Sequence, residues 1–386
     1  MAILLISILA TVGGEVLKID KNTEAFLALL RAGLWEKEAR LSKYENLNYS
    51  VLLNLAEEQS VIGLVAAGLN HVSDMKAPQE VLLRFVGGAL QIEQLNASMN
   101  SFIGRLLDDM RNAGIYAMLI KGQGVAQCYE KPLWRACGDV DLLLSEDNYN
   151  KAFLFLTPLA SKVEEEIKFS KHIAMTIGKW EVELHGSLHG GLWSSVDCGL
   201  DKVQEDIFCG GCVRSWMNGG TQVLLPGANE DVVYVFAHLL EHFFYGGVGL
   251  RQVCDWCRLL WRYHSELDLR LLESRILGMN LMSEWRAFGA FAVEYLGMPV
   301  EAMPLYDSRF KQKGERILKF ILEVGNFGHN RDKSYYNNEP YLKRKAISFW
   351  RHTTDGAKYL CIFPVDSLRL WWKMLTRGII AVFQRR

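Results

Sequence analysis

The chain has no excess charge of either sign. Its 386 residues carry 43 Lys and Arg against 44 Asp and Glu, a formal net charge of −1. A protein that grips DNA or RNA along the phosphate backbone needs a basic surplus, so general nucleic-acid binding is not expected. A local basic pocket remains open. Cysteine is sparse, with eight in the chain, which does not suit a secreted disulfide scaffold. A reducing, cytoplasmic setting is the simpler expectation. Long apolar runs are missing too. Ala2 to Gly13 is apolar but short for a spanning helix. No basic residue precedes Lys18, so the positive start of a signal peptide is lacking. No stable membrane insertion is expected. Helix-like patterning begins only near Thr23, and Met1–Val16 is read as preceding the natural start. Internal repeats and low-complexity segments are absent as well. What remains is ordinary for a folded protein, 50% apolar and 23% charged. At this length two or three packed units are expected.

Residues 20–98 read as helical. Asn22-Thr23-Glu24 places capping residues before an apolar run. Val51–Leu69 keeps apolar residues at helical spacing. Pro78 suits a helix start, and Glu80–Asn112 is one long helix or two, ended by Gly114. Residues 99–225 change character. Ile115–Ile120 and Val140–Leu144 are short apolar runs of strand type. Ser145-Glu146-Asp147 opens a helix toward Leu156. Val163–Ile177 reads as two strands, and Trp180–His185 alternates as a third. Residues 226–386 are helical again, over Val232–Tyr245, Leu250–Tyr263 and Leu267–Leu277, with a glycine break at Gly246–Gly249. Asn326–Asn330 reads as a loop. The expected fold class is α+β, a small mixed-sheet core flanked by N- and C-terminal helical regions.

The chemistry concentrates in Gly138-Asp139-Val140-Asp141-Leu142. On a strand, Asp139 and Asp141 share one face. Carboxylates held that close repel each other, an arrangement suited to holding a cation. Oxygen ligands of this kind fit Mg²⁺ or Mn²⁺, with substrate phosphates completing the shell. Upstream, Lys121-Gly122-Gln123-Gly124 forms a glycine-bearing turn between a strand-like and a helix-like run. Backbone N–H groups at such a turn can cradle phosphate oxygens.

These elements resemble the polymerase-beta-like nucleotidyltransferase superfamily, in which a glycine turn precedes an Asp-x-Asp pair on the next strand. Gln123 departs from that pattern, which prefers Gly or Ser in its place; Gly124 follows one position later. The closer resemblance is to a bacterial family of nucleotidyltransferases with helical flanking regions. It is carried by Lys121-Gly122, Tyr129, Arg135, Gly138 to Leu142, Glu183-Leu184-His185, and His238 with His242. The resemblance implies a metal-dependent enzyme that moves a nucleotidyl group from a nucleoside triphosphate, ATP among them, to an unidentified acceptor hydroxyl. Asp139 and Asp141 would hold Mg²⁺ or Mn²⁺. Glu183 would be the third carboxylate, supporting the metal that activates the hydroxyl. Glu181 competes for that role, because Glu181, Glu183 and His185 share a strand face. Lys121, Gly122, Gln123, Gly124, Arg135 and Gly138 would meet the nucleotide. His185, His238, His242, Arg251 and Asp255 would lie on the acceptor side, with Arg251 and Asp255 spaced to pair. The acceptor, the base and the oligomeric state are not legible.

Two other classes compete. One is a nucleotide-binding or regulatory module without turnover, consistent with the irregular glycine turn. The other is a metal-dependent hydrolase using His238, His242 and Asp255. A metalloprotease is not expected, because Leu239 stands where His-Glu-x-x-His needs Glu. Cys209…Cys212 and Cys254…Cys257 have zinc-pair spacing, but the second falls in a helical pattern and reads as buried free thiols. The aromatic, basic segment Leu368–Arg386 is expected to pack as a helix on its own domain rather than on a membrane or partner.

Overall fold

The computed structural model describes residues 19–328, 343, 347 and 358–383. Met1–Val16, His329, Asn330, Arg385 and Arg386 lie outside the described residues.

The N-terminal region is helical. Helix α1 (Lys21–Trp35) starts at Asp20, whose carboxylate accepts from the backbone N–H groups of Asn22 and Thr23 at 2.9 and 3.2 Å. Helices α2 (Tyr49–Glu58) and α3 (Ile62–Leu69) follow. Helices α1 and α3 cross with their backbones in contact. A Cβ on Gly33 would stand 1.9 Å from the Leu64 carbonyl oxygen, and one on Gly68 2.0 Å from that of Leu29. Helix α4 (Gln79–Asn112) is a single helix of 34 residues, which settles the one-or-two alternative. It runs without interruption through residue 98.

The sheet comes next. Strands β1 (Ala117–Ile120), β2 (Asp139–Leu144), β3 (Ala160–Val163), β4 (His172–Ile177) and β5 (Trp180–His185) lie in the order β1-β2-β5-β4-β3. Only β2 and β5 pair in parallel; the other neighbours are antiparallel. Helix α5 (Gly122–Ala126) follows β1, and α6 (Glu146–Leu156) follows β2. The sheet is therefore mixed and the fold α+β, as the patterning predicts. Two elements went unread in the sequence. Helix α7 (Ser194–Phe208) is one. The other is a hairpin of β6 (Val213–Asn218) and β7 (Thr221–Pro226), turned at Gly219-Gly220 with φ of +57° and +101°. A Gly-Gly pair between alternating runs is a recognised hairpin signal.

The C-terminal helices α8 (Ala228–Tyr245), α9 (Leu250–Tyr263), α10 (Leu269–Gly278), α11 (Met282–Leu296) and α12 (Lys311–Val324) form the larger core around Phe236, Trp256, Trp285 and Phe288. Phe26 and Leu52 of the N-terminal helices belong to the same core. Trp35 Nε1 donates to the Leu296 carbonyl at 2.5 Å, and Arg31 to that of Tyr295 at 3.0 Å. The two helical regions thus pack together beside the sheet. The expected loop at Asn326 begins as a short 3-10 turn, Asn326–Gly328. Helix α13 (Pro364–Phe383) packs on the same domain: Leu370 is buried, and Lys373 donates to the Leu192 carbonyl at 2.7 Å. Among the described residues, no helix is long and apolar enough to cross a membrane.

Candidate functional site

The sheet register builds the site. Because β2 and β5 run in parallel, Asp141 sits opposite Glu183 and Asp139 opposite Glu181. All four point to one face, since strand residues two apart share a side. Oxygens of Asp139, Asp141 and Glu183 lie within 4.8 Å of one another. Glu181 is exposed and stands outside this grouping.

Lys121 closes the floor. It sits just past β1 with φ 57° and ψ −148°, a region few side-chain-bearing residues adopt and one that costs about 1–3 kcal/mol. Its ammonium lies 2.8 Å from Asp141 Oδ1. Burial works against the charge, but Asp141, then Tyr234, Glu183 and Asp139, raise its pKa well above the usual lysine value. Gly122, at φ +43°, completes the turn. His185 Nε2 lies 3.0 Å from Asp141 Oδ1 and 3.3 Å from Glu183 Oε2. His172 Nε2 lies 3.1 Å from that same Glu183 oxygen.

The carboxylates respond differently. Repulsion from Asp141, then burial, pushes Asp139 up. Burial also opposes ionisation of Asp141, but Lys121 and His185 hold it below the usual range. Glu183 is half-buried, which opposes its ionisation, but His172 and His185 pull it down. His185 is raised: burial lowers it, and hydrogen bonds to Asp141 and Glu183 overcome that. The floor is thus a charged network, held together by one ammonium and one imidazole pair.

Two lobes open from it, sharing Lys121, Glu183 and His238. The smaller, about 200 Å³, is lined by Asp139, Asp141, Arg135, Arg251, His242 and Asp255, with Gly122 at its edge. Arg135 makes a bidentate pair with Asp255, Nε–Oδ1 at 3.0 Å and Nη2–Oδ2 at 2.6 Å. Tyr129 donates to the same Asp255 oxygen at 2.8 Å. Two guanidinium nitrogens on this lobe, Arg135 Nη1 and Arg251 Nε, are buried and have no hydrogen-bond partner among the described residues. The larger lobe, about 420 Å³, is lined by Phe169, Leu188, Leu192 and Tyr245 with His172, His189 and Glu241.

Several of the residues singled out in the sequence lie elsewhere or find other partners. Gln123 and Gly124 line neither lobe. Gln123 turns into the core, donating to Asn96 Oδ1 at 2.8 Å, and a Cβ on Gly124 would strike Leu225 at 2.8 Å. Gly138 is also absent from both linings. Arg251 does not pair with Asp255; Arg135 takes that partner, because its fork fits the carboxylate edge. Arg251 donates instead to the Ala136 carbonyl at 3.2 Å. With Asp255 so engaged, it joins no metal-ligand grouping with His238 and His242. Those two imidazoles meet each other, Nε2 to Nε2 at 3.0 Å. Burial pushes both down, His242 to about 3, so they are neutral at physiological pH. Neither Cys-x-x-Cys pair joins a larger ligand grouping among the described residues, and Cys254 and Cys257 are fully buried thiols. His172, Tyr234 and Glu241 carry the site and were not singled out in the sequence. His172 shares a strand face with Thr176, four residues on, and its place beside His185 is visible only once β4 is paired with β5.

The structure thus brings together a glycine turn after an edge strand, an Asp-x-Asp strand beside it and an in-register glutamate. A family model described as an uncharacterised nucleotidyltransferase matches residues 45–297. That is more than half of the chain, and the chain belongs to this nucleotidyltransferase family. No curated protein matches it. Among solved structures, an antigenic nucleotidyltransferase-like protein from Paracoccidioides brasiliensis aligns at 12% identity, over 55% of this chain and 96% of that one, with a TM-score of 0.32. The fold described above rests on this chain's own geometry.

Proposed function

We propose that the cleft transfers a nucleotidyl group from a nucleoside triphosphate to an acceptor hydroxyl. The acceptor oxygen bonds to the α-phosphorus, the bond to pyrophosphate breaks, and the acceptor gives up its proton. The observation that carries this reading is the cluster of three carboxylates formed by the Asp141–Glu183 register with Asp139 beside it.

The cluster fits a hard divalent cation. Its donors are all carboxylate oxygens, and repulsion from Asp141, then burial, pushes Asp139 up. Mg²⁺ or Mn²⁺ suits such a set. When bound, the ion supplies charge stabilisation to phosphate oxygens and makes the acceptor hydroxyl easier to deprotonate. Asp139, Asp141 and Glu183 would hold it. His172 and His185 keep Glu183 ionised, so it stays a ligand. Arg135 Nη1 and Arg251 Nε, buried and without a hydrogen-bond partner among the described residues, would meet phosphate oxygens in the smaller lobe. Lys121 adds a positive charge at the junction of the lobes. The larger lobe is then left for the acceptor. The eight unpaired thiols suit a reducing, cytoplasmic setting.

The Lys121–Asp141 pair favours a second reading, in which this ammonium takes the cation's place and the protein binds nucleotide without turnover. One experiment separates the two. The melting temperature is measured with ATP, CTP, GTP and UTP, each with and without Mg²⁺, for wild type and the Asp139→Ala/Asp141→Ala variant. A ligand that binds only the folded state raises it by mass action. A Mg²⁺-dependent rise for one nucleotide, lost in the variant, supports the transfer reading, and pyrophosphate release with added acceptors completes it. A rise independent of Mg²⁺ supports the second reading. No rise with any nucleotide rejects both.

A further inference from the structure

We propose that His172, Glu183 and His185 form a second metal site, one that takes a divalent transition ion of the zinc class. It shares Glu183 with the oxygen cluster but differs from it in chemistry. The inference goes beyond nucleotidyl transfer and stands without it.

The geometry comes first. His172 Nε2 and His185 Nε2 approach Glu183 Oε2 at 3.1 and 3.3 Å. The three ligating atoms lie within 4.8 Å of one another. A tetrahedral ion with bonds of about 2.0–2.1 Å holds its ligand atoms about 3.3 Å apart. Both histidine–glutamate separations match that spacing, the third lies within 4.8 Å, and His185 Nε2, now also 3.0 Å from Asp141 Oδ1, would turn from that oxygen to the ion.

The backbone holds them there. Strands β4 and β5 pair so that His172 lies opposite His185 and Ala174 opposite Glu183. The two imidazole rings stack with centroids 4.7 Å apart. Ala174 is small, so the space above Glu183 is left to the histidines rather than filled by a neighbour.

The donor set then selects the ion. Two imidazole nitrogens and one carboxylate oxygen suit zinc, cobalt, iron and manganese, whereas magnesium prefers oxygen alone. The neighbouring Asp139–Asp141–Glu183 grouping is all oxygen. Glu183 thus stands between a hard site and a softer one. All three ligands of the softer site line the larger lobe. Three protein ligands facing a cavity leave a coordination position for water or an incoming oxygen, as in catalytic rather than structural zinc sites.

The test uses the full chain, stripped with chelator and dialysed against Zn²⁺ in excess Mg²⁺. The expected result is one Zn²⁺ retained per chain. Co²⁺ in its place should give visible bands of a nitrogen–oxygen set without a thiolate charge-transfer band. His172→Gln and His185→Gln should each weaken Zn²⁺ binding by at least about tenfold, the lower end of what even an outer-shell change costs. Glutamine keeps a hydrogen-bond donor toward Glu183 but offers no imidazole lone pair, so the variants separate a ligand from a hydrogen-bonding residue. Asp139→Asn should retain the ion. Failure of wild type to hold Zn²⁺ against Mg²⁺ overturns the proposal. So does unchanged affinity in a folded His172→Gln, or a thiolate band, which would move the ion to Cys209 and Cys212. If both histidine variants fail to fold, the wild-type cobalt spectrum decides.

Discussion

Asp139, Asp141 and Glu183 crowd together on the cleft floor, while Glu284 and Asp366 meet between helices α11 and α13 of the shell. Both are groups of acids at close quarters. On the floor, polar partners offset the repulsion: the Lys121 ammonium reaches Asp141, and the His172 and His185 imidazoles reach Glu183. In the shell, Glu284 makes no ion pair among the described residues. Burial and then Asp366 raise its pKa well above the usual value of 4.5. Asp366 turns to Arg369 at 3.2 Å. Burial and the neighbouring acid favour the protonated form of Glu284. The difference separates a site from a buried acid: open space and converging polar partners on one side, packed surroundings that favour the neutral acid on the other.

The largest expected effect lies on the floor. Asp141→Ala should reduce pyrophosphate release by about 10³-fold or more, the scale of several kcal/mol of lost charge stabilisation. A rate within tenfold of wild type would erase the distinction drawn between floor and shell. Asp255→Ala comes next. It strands the buried Arg135 guanidinium, and removing one partner of a buried pair costs about 3–5 kcal/mol. Denaturant unfolding checks this, and a loss below about 1 kcal/mol would show that solvent reaches Arg135.

Glu284→Gln should act the other way. It removes a buried acid that ionises only against desolvation and a neighbouring carboxyl, so it should be neutral to stabilising wherever the unfolded chain has lost that proton. The sign depends on pH. Below pH 4.5 the folded and unfolded chains both hold the Glu284 proton, and the variant gains nothing. As pH rises toward the raised folded value, the unfolded chain ionises first and the wild type loses stability. The melting-temperature advantage of Glu284→Gln should therefore appear at pH 8 and vanish at pH 4. An advantage equal at both would mean that folding does not raise the Glu284 pKa. The smallest effect is expected at Glu181→Gln. That residue is exposed and outside the cluster, so stability should stay within about 0.5 kcal/mol and transfer within about twofold. A large loss of transfer would reopen the choice between Glu181 and Glu183.

Much of the fold was legible because its signals are local. Trp180–His185 alternates, and β5 has those bounds. Leu250–Tyr263 is apolar on one stripe, and α9 has those bounds too. The hairpin at Gly219-Gly220 was legible in principle and passed over. Within the site, the Asp-x-Asp pair announced its shared face by period alone. The choice between Glu181 and Glu183 did not follow from it, since both lie on the same face as His185. Gln123 looked like a phosphate contact by position in the motif, yet Asn96, 27 residues upstream, draws it into the core. Arg251 and Asp255 looked like a helical pair, yet a residue 120 positions from Asp255 outcompetes a neighbour four away.

The sequence by itself determined the family, the mixed strands between helical flanks, and the pairing of Asp139 with Asp141. Each of these depends on spacing of a few residues along one chain segment. Only the tertiary structure decided that Glu183 faces Asp141, that His172 and His185 converge on Glu183, and that Arg135 rather than Arg251 holds Asp255. These are contacts between strands and helices far apart in sequence. Strand register and helix packing set them, and both are fixed by burial of the core as a whole rather than by any local pattern.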